Sequence, residues 1–142
     1  MEFSNPSDSE IRAILARPTT VAVVGCSDSP SRDSLRIAKL LKTRGFKVIP
    51  VNPQLDAEAL RDQLGEKCYP DLASIPEPVE IVDVFRRSEF VPEIAEQAIA
   101  KGARVLWCQL DVINLDAAHR AQKAGLTVVM DRCPAIEFAR LF

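Results

Sequence analysis

Three arginines and a run of small polar residues are the side chains of this sequence best suited to bind a charged ligand. Arg32 ends the segment Gly-Cys-Ser-Asp-Ser-Pro-Ser-Arg, and the pair Arg86-Arg87 follows an apolar run farther along the chain. Guanidinium groups make bidentate hydrogen bonds to phosphate oxygens. Several arginines at one edge of a fold therefore favour a ligand with more than one phosphate. Pairing of Arg86 and Arg87 with nearby carboxylates is the structural alternative.

The residues before Arg32 have the pattern of a strand, a turn and a helix N-terminus. Residues 21–24 form a continuous apolar run rich in β-branched side chains, as in a strand covered on both faces. Gly25 permits a tight turn, and small polar residues lead into a helical pattern. Backbone N–H groups and the positive end of the helix dipole would converge there and form an anion site. An ordinary strand–helix loop is the alternative.

Composition and charge limit the classes of protein to which the chain can belong. Its 142 residues suffice for one domain with a buried core, and 47% hydrophobic with 27% charged residues is typical of globular proteins. A net charge of −2 gives no positive field to attract nucleic acid or an acidic membrane. No apolar run approaches transmembrane length, and the acidic N-terminus is unlike a signal peptide. The four cysteines lack metal-ligand spacing, and we expect free thiols in a cytoplasmic protein.

Five apolar segments alternate with amphipathic helical patterns. The predicted strands are residues 20–24, 47–51, 79–85, 104–108 and 126–130, and the predicted helices are about 7–16, 32–44, 89–101, 114–124 and 134–141. A brief strand-like piece is expected near residues 68–70. Each strand is too continuously apolar for a one-sided sheet. The pattern predicts an α/β fold, a single Rossmann-like doubly wound domain over residues 1–142. Its five-stranded parallel sheet would have the order 3-2-1-4-5, helices on both faces, and strands one and four flanking the reversal.

In such a sheet, ligands bind beyond the carboxyl ends of the strands, where the strand order reverses. The segments predicted to meet there include residues 25–32, 52–53, 85–87 and 109–114. A nicotinamide dinucleotide fingerprint needs three glycines, and only Gly25 is present. Asn52 stands where a carboxylate would hold the ribose hydroxyls, and an uncharged side chain tolerates a phosphorylated ribose. These residues favour a ligand with a pyrophosphate and a further ribose phosphate, which describes both coenzyme A and NADP.

Five segments together resemble the stand-alone CoA-binding domain proteins of bacteria and archaea, which are similar to the N-terminal CoA-binding domain of the succinyl-CoA synthetase α subunit. The segments are GCSDSPSR at 25–32, PVNP at 50–53, VFRR at 84–87, WCQ at 107–109 and DRC at 131–133. The resemblance implies coenzyme A or an acyl-CoA as the ligand. It implies phosphate contacts from Gly25, Ser27, Ser29, Pro30 and Arg32, adenine–ribose contacts from Asn52 and Pro53, and contacts toward the pantetheine from Phe85, Arg86 and Gln109. Cys26, in the phosphate loop, is counted with these cofactor-binding residues.

The sequence departs from the family pattern after the fourth strand. The family usually has glycine two residues beyond the glutamine, and this chain has Asp111 there. A side chain would obstruct a close approach of the ligand to the backbone, and a carboxylate would oppose phosphate. Weakened binding is one expectation; the alternative is that Asp111 is tolerated, because pantetheine is uncharged.

No catalytic constellation is visible in the sequence. It shows no nucleophile–base arrangement, Walker lysine or metal cluster, and the single histidine, His119, is expected to be a solvated helix residue. We therefore expect a CoA-binding module without catalysis of its own. Its partner would be a CoA-type small molecule, with no nucleic acid or membrane; a protein partner is not identifiable. The alternative is an enzyme that uses NADP or CoA through groups the sequence does not reveal.

Overall fold

Five parallel strands alternate with helices in the computed structural model, which describes residues 2–142. The strands are β1 (Thr20–Val24), β2 (Lys47–Val51), β3 (Ile81–Val84), β4 (Val105–Cys108) and β5 (Thr127–Val129). The helices are α1 (Asp8–Ala16), α2 (Asp33–Thr43), α3 (Arg61–Leu64), α4 (Val91–Lys101), α5 (Leu115–Lys123) and α6 (Pro134–Leu141). The predicted α/β class and five-stranded parallel sheet are confirmed.

Helices cover both faces of the sheet, as predicted. Alternate side chains of the strands pack against α4 and α5 on one face, and against α1, α2 and α6 on the other. Trp107 of β4 is fully buried, and its Nε1 donates to the carbonyl of Arg132 at 2.9 Å. No helix within residues 2–142 has the length and apolar character needed to cross a membrane.

The strand order is β2-β1-β3-β4-β5, so the reversal lies between β1 and β3. Tyr69 forms a single parallel bridge with Val51 on the outer side of β2. If Tyr69 is counted as the third strand of the chain, the sheet order becomes 3-2-1-4-5-6. The predicted order 3-2-1-4-5 therefore describes this sheet with Tyr69 in third place. The prediction had assigned that place to residues 79–85, which pair with β1.

This difference moves the reversal point by one strand. Between β2 and β3 the chain forms only the short α3 and the Tyr69 bridge, because turns dominate residues 52–80. The chain then returns beside β1 without adding a full outer strand. The crevice expected between strands one and four is consequently a crevice between β1 and β3, and the loops that follow these two strands face each other.

The N-terminal segment joins the far edge of the sheet. Ser7 and Glu10 form the predicted capping box of α1, with Ser7 Oγ accepting from Glu10 N at 3.2 Å. Just before it, the Asn5 side chain accepts from Met130 N and donates to Met130 O, both at 2.8 Å. These two bonds pair the chain with the end of β5. The first helix is thereby held next to α6.

Candidate functional site

Two adjoining depressions lie at the carboxyl ends of the strands and form one groove. The first, here the polar half, has a volume of about 600 Å³ and includes Gly25, Ser27, Asp28, Ser31, Arg32 and Asn52 in its lining. The second, the apolar half, has a volume of about 920 Å³ and includes Ile37, Leu40, Gln109, Leu110, Val112 and Ile136. Asp33 and Phe85 line both halves, so the groove is continuous.

Gly25 fixes the distance between the loops that follow β1 and β3. Its φ is +86°, in the left-handed region that favours glycine, and an added Cβ would lie 2.7 Å from the carbonyl oxygen of Phe85. Gly25 N also donates to Val51 O at 2.8 Å. The turn after β1 can approach β3 this closely only without a side chain.

The first turn of α2 opens toward the polar half. Arg32 is its N-cap residue, and its side chain makes no capping hydrogen bond. Two serines hold the preceding loop: Ser27 N donates to Ser34 Oγ of α2 at 2.9 Å, and Ser29 N donates to Ser27 Oγ within the loop at 3.0 Å. The first backbone N–H groups of a helix have no intrahelical acceptor. This helix end is therefore suited to an anionic group, as the sequence predicted.

Asn52 lines the polar half with both ends of its amide already bonded. Its Nδ2 donates to the carbonyl of Cys26 at 2.9 Å, and its Oδ1 accepts from Gln54 N at 2.9 Å. The amide therefore ties the loop after β2 to the loop after β1. A ribose contact, the role implied by the resemblance, would have to share these atoms.

The three arginines have different surroundings. Arg32 is exposed and forms no ion pair within residues 2–142. The Arg86 guanidinium lies over the Phe90 ring, 4.3 Å from its centroid. Arg87 approaches Glu89 at 3.5 Å, the pairing considered as the structural alternative, and both side chains are largely exposed. Such an exposed pair contributes little to stability. The guanidinium groups of Arg32 and Arg86 are therefore unengaged with carboxylates.

Cys26 does not point into the groove. Its side chain is 0% exposed and packs in the core between the sheet and α2. Burial raises the pKa of this thiol to about 12, with smaller increases from Cys68 and Asp83. Any contact from Cys26 to a ligand would be through its backbone. Cys133 is the thiol that lines the apolar half, at the N-cap of α6.

Asp83 lies next to the site, and the sequence suggested for it only a possible pairing with Arg86 or Arg87, which the structure does not show within residues 2–142. It lies on β3 with 1% exposure and accepts a hydrogen bond from Nε2 of Gln109. Burial raises the pKa of Asp83 to about 7, although the Gln109 hydrogen bond opposes this increase. An aspartate inside an otherwise apolar strand was the available signal. Its partner could not be identified without knowing that β3 and β4 are neighbours.

A protein-family model matches most of the chain and identifies the family. The model of the CoA binding domain family matches residues 19–139. The chain belongs to this family. It is 41% identical over 137 residues to the uncharacterized protein YneT of Bacillus subtilis strain 168, covering 96% of this chain and 98% of YneT. A hypothetical protein from Pyrococcus horikoshii OT3 has a TM-score of 0.87 and 41% identity, with 99% of each chain covered.

A relative with a stated activity matches over a small part of its length. ADP-forming acetate–CoA ligase II of Archaeoglobus fulgidus is 34% identical over 89 residues, covering 61% of this chain and 12% of the ligase. This CoA-binding domain protein is thus similar to one segment of that enzyme. The resemblance to the stand-alone CoA-binding proteins is confirmed.

Asp111 adopts the backbone conformation for which glycine is favoured. Its φ is +65°, and its N–H donates to Asp131 Oδ1 at 2.8 Å while its carbonyl accepts from Ser88 Oγ at 3.3 Å. Aspartate enters the left-handed region more readily than most residues with a Cβ. A glycine, the residue expected here from the resemblance, would suit this φ. The side chain also lines the apolar half, so the expected obstruction of a ligand stays a prediction.

The groove brings together seven of the eleven residues named from the sequence. These are Gly25, Ser27, Arg32, Asn52, Phe85, Arg86 and Gln109. Four others, Cys26, Ser29, Pro30 and Pro53, are not part of its lining. Ser29 and Pro30 lie at the outer turn of the loop, where Arg32 N donates to Ser29 O at 3.0 Å. They shape the loop that presents the helix end.

Proposed function

We propose that this protein binds CoA or an acyl-CoA in the groove at the carboxyl ends of β1, β3 and β4, as a binding module with no catalysis of its own. The observation that carries the proposal is the division of one continuous groove into a polar and an apolar half. CoA has the same division, since a charged 3′-phospho-ADP is joined to a long, uncharged pantetheine. The family match supports the same ligand.

The polar half suits the phosphates. The open N-terminus of α2 and the guanidinium of Arg32, which has no ion pair within residues 2–142, supply N–H donors and positive charge at one place. Asp33 in the same helix turn is ion-paired with Arg36, which reduces its repulsion of an anion. We place the pyrophosphate here, with Arg86 near the junction with the apolar half.

The apolar half suits the pantetheine and any acyl group attached to it. Leu110 and Ile136 in its lining are about half exposed, at 50% and 49%. A ligand that covers such side chains gains free energy by removing apolar surface from water. Gln109 supplies a polar contact within this lining, which an amide-containing arm can use.

Isothermal titration calorimetry with CoA, acetyl-CoA, NAD and NADP tests the proposal. We expect CoA to bind more tightly than NAD, because the glycine fingerprint and the ribose carboxylate are both missing from the sequence. Equal affinities, or tighter binding of NAD, would contradict the proposal. Tighter binding of NADP than of CoA would favour the NADP-using alternative.

Arg32→Ala should weaken CoA binding by about 1–3 kcal/mol, the usual loss for a charge-assisted hydrogen bond. Arg104→Ala is the matched control. Arg104 is also largely exposed and contacts Glu80 at 3.6 Å. It immediately precedes β4, at the amino ends of the strands and so away from the groove. We expect the control to bind CoA like the parent protein. Equal affinities for the two variants would place Arg32 outside the site.

We further propose that residues 1–142 act as one domain in the cytoplasm, although residue 1 lies outside the described residues. The four cysteines are free in the structure, which suits a reducing compartment. One sheet with helices on both faces supports a single unit.

A further inference from the structure

A buried carboxylate lies next to the groove and holds one of its lining side chains. Asp83 is beside Trp107 in the register of β3 and β4. Its Oδ1 accepts from Gln109 Nε2, and its Oδ2 has no hydrogen-bond partner within residues 2–142. A buried carboxylate that is only half satisfied lowers the stability of a fold. Packing alone therefore does not account for an aspartate at this position.

Gln109 connects Asp83 to the groove. Its backbone is fixed, because its N–H donates to Val84 O at 3.3 Å and its carbonyl accepts from Val112 N at 3.0 Å. The side chain makes one hydrogen bond within residues 2–142, the bond to Asp83. An ionised carboxylate can only accept, so Gln109 must turn its NH₂ group to Asp83 and its oxygen Oε1 away from it. Gln109 is part of the lining of the apolar half.

We propose that ionised Asp83 is a positioning residue that holds Gln109 Oε1 toward the groove as an acceptor for an amide N–H of the ligand, and that protonation of Asp83 reverses this orientation. The inference rests on the proposed function, since pantetheine supplies the amide. When Asp83 takes a proton from solvent, its O–H can donate to Gln109 Oε1, and the NH₂ group then faces the groove. The same position thus changes from acceptor to donor.

The change occurs near neutral pH. Burial raises the pKa of Asp83 to about 7. A ligand that binds the acceptor form favours ionised Asp83, so binding and deprotonation are linked. Affinity therefore rises with pH up to the pKa of Asp83 and is constant above it. At pH near 7, ligand binding releases protons.

The groups packed around Asp83 are apolar side chains, two buried thiols and an ion-paired carboxylate. The small cavity beside it is lined by apolar side chains of β1, β3, β4, α1, α2, α6 and the residue before β2: Val21, Ile81, Trp107, Leu15, Leu41, Pro134 and Phe46. The thiols of Cys26 and Cys108 are the other titratable neighbours, and burial raises the pKa of each to about 12. Glu137, buried on α6, is ion-paired with Arg140 at 2.7 Å.

Calorimetry with dephospho-CoA over a pH series tests this inference. Dephospho-CoA is the probe because the 3′-phosphate of CoA itself titrates near pH 6, as phosphate monoesters do. We expect the affinity of the parent protein to rise by up to about tenfold per pH unit below the pKa of Asp83, the limit for one linked proton. At pH near 7, the binding heat should depend on the ionisation enthalpy of the buffer.

Two variants should abolish this pH dependence and one should keep it. Asp83→Asn has no group to titrate at this position, and Gln109→Met has no amide to turn, so the affinity of neither variant should rise with pH. If Asp83→Asn does not fold, Gln109→Met provides the test. Asp62→Asn, a change in an exposed carboxylate of α3 outside the groove lining, should keep the rise.

The inference is overturned if the affinity of the parent protein is independent of pH, or if the rise persists in Asp83→Asn or Gln109→Met. Failure of both CoA and dephospho-CoA to bind at every pH is a different result, because no affinity is then measured. That result overturns the proposed function and this inference together.

Discussion

Replacing Gly25 by alanine should both destabilise the fold and disrupt the groove. The new Cβ would lie 2.7 Å from the carbonyl oxygen of Phe85 and 3.0 Å from Cδ of Arg86. The first of these contacts is with the backbone, so rotation of a side chain cannot relieve it. The loops after β1 and β3 would have to separate, and these loops line the junction of the polar and apolar halves.

Gly102→Ala provides a matched control for the cost of the backbone conformation. Gly102 has a φ of +81°, close to the +86° of Gly25, and an added Cβ there meets nothing within 4 Å. A left-handed alanine costs about 1–2 kcal/mol at either position. Overpacking against a fixed neighbour adds about 1–3 kcal/mol at Gly25 alone. We therefore expect losses of about 2–5 kcal/mol for Gly25→Ala and about 1–2 kcal/mol for Gly102→Ala.

Urea unfolding followed by tryptophan fluorescence measures both losses. Trp107 is the single tryptophan and is 1% exposed, so its emission reports loss of the core. Calorimetry with CoA should show weakened binding in Gly25→Ala and parental binding in Gly102→Ala. Equal losses of stability in the two variants would refute the steric reasoning. Parental CoA affinity in Gly25→Ala would show that the ligand does not depend on the spacing of the two loops.

Three further changes test other parts of the structure. Asp111→Gly should strengthen CoA binding in calorimetry, because it removes a side chain from the groove lining; an unchanged affinity would mean that this side chain does not meet the ligand. The protein is incubated with CoA disulfide, and any CoA adduct is detected by intact-mass spectrometry. We expect the adduct to survive Cys26→Ser, because burial raises the pKa of the Cys26 thiol to about 12. Cys133→Ser, a change at a partly exposed thiol, is the comparison. Loss of the adduct with Cys26→Ser alone would contradict the ligand position proposed here. The free energy of unfolding should fall by at most about 4 kcal/mol as pH rises from about 4 to about 7, because Asp83 holds its proton more tightly in the folded protein than in the unfolded chain. Asp83→Asn should remove this fall.

The elements with a purely local signal were predicted well. The predicted bounds of β1 and β2 match the structure, since each is a β-branched apolar run with a proline or glycine close to its ends. The capping box of Ser7 and Glu10 is also present as predicted. Predicted strands β3 to β5 are longer than the observed ones, because apolar residues such as Val79 and Met130 are buried beyond the ends of the ladder. In the sequence, a buried residue beyond the end of a strand looks the same as a buried residue that is paired in the sheet.

Features that depend on distant pairing were predicted less well. The place of β3 in the sheet depends on how residues 52–80 cross from β2, and their turns give no sign of which edge the chain will reach. The bond between Gln109 and Asp83 joins residues 26 positions apart, and the two bonds of the Asn52 amide depend on where loop backbones lie. None of these contacts has a periodic pattern in the sequence.

The position of the reversal explains the arrangement of the whole groove. Because β1 and β3 are neighbours, the loop after β1 meets the backbone at Phe85, and only a residue without a Cβ fits at Gly25. Phe85 lines both halves of the groove, and the N-terminus of α2 offers its N–H donors to the polar half. On the other side β4 is adjacent to β3, so Gln109 reaches Asp83 and enters the apolar lining. In the predicted order β3-β2-β1-β4-β5, one strand would lie between β1 and β3, and two strands would lie between β3 and β4. The strand order, more than any single motif, therefore determines that the proposed phosphate site and the proposed amide-binding site share one continuous surface.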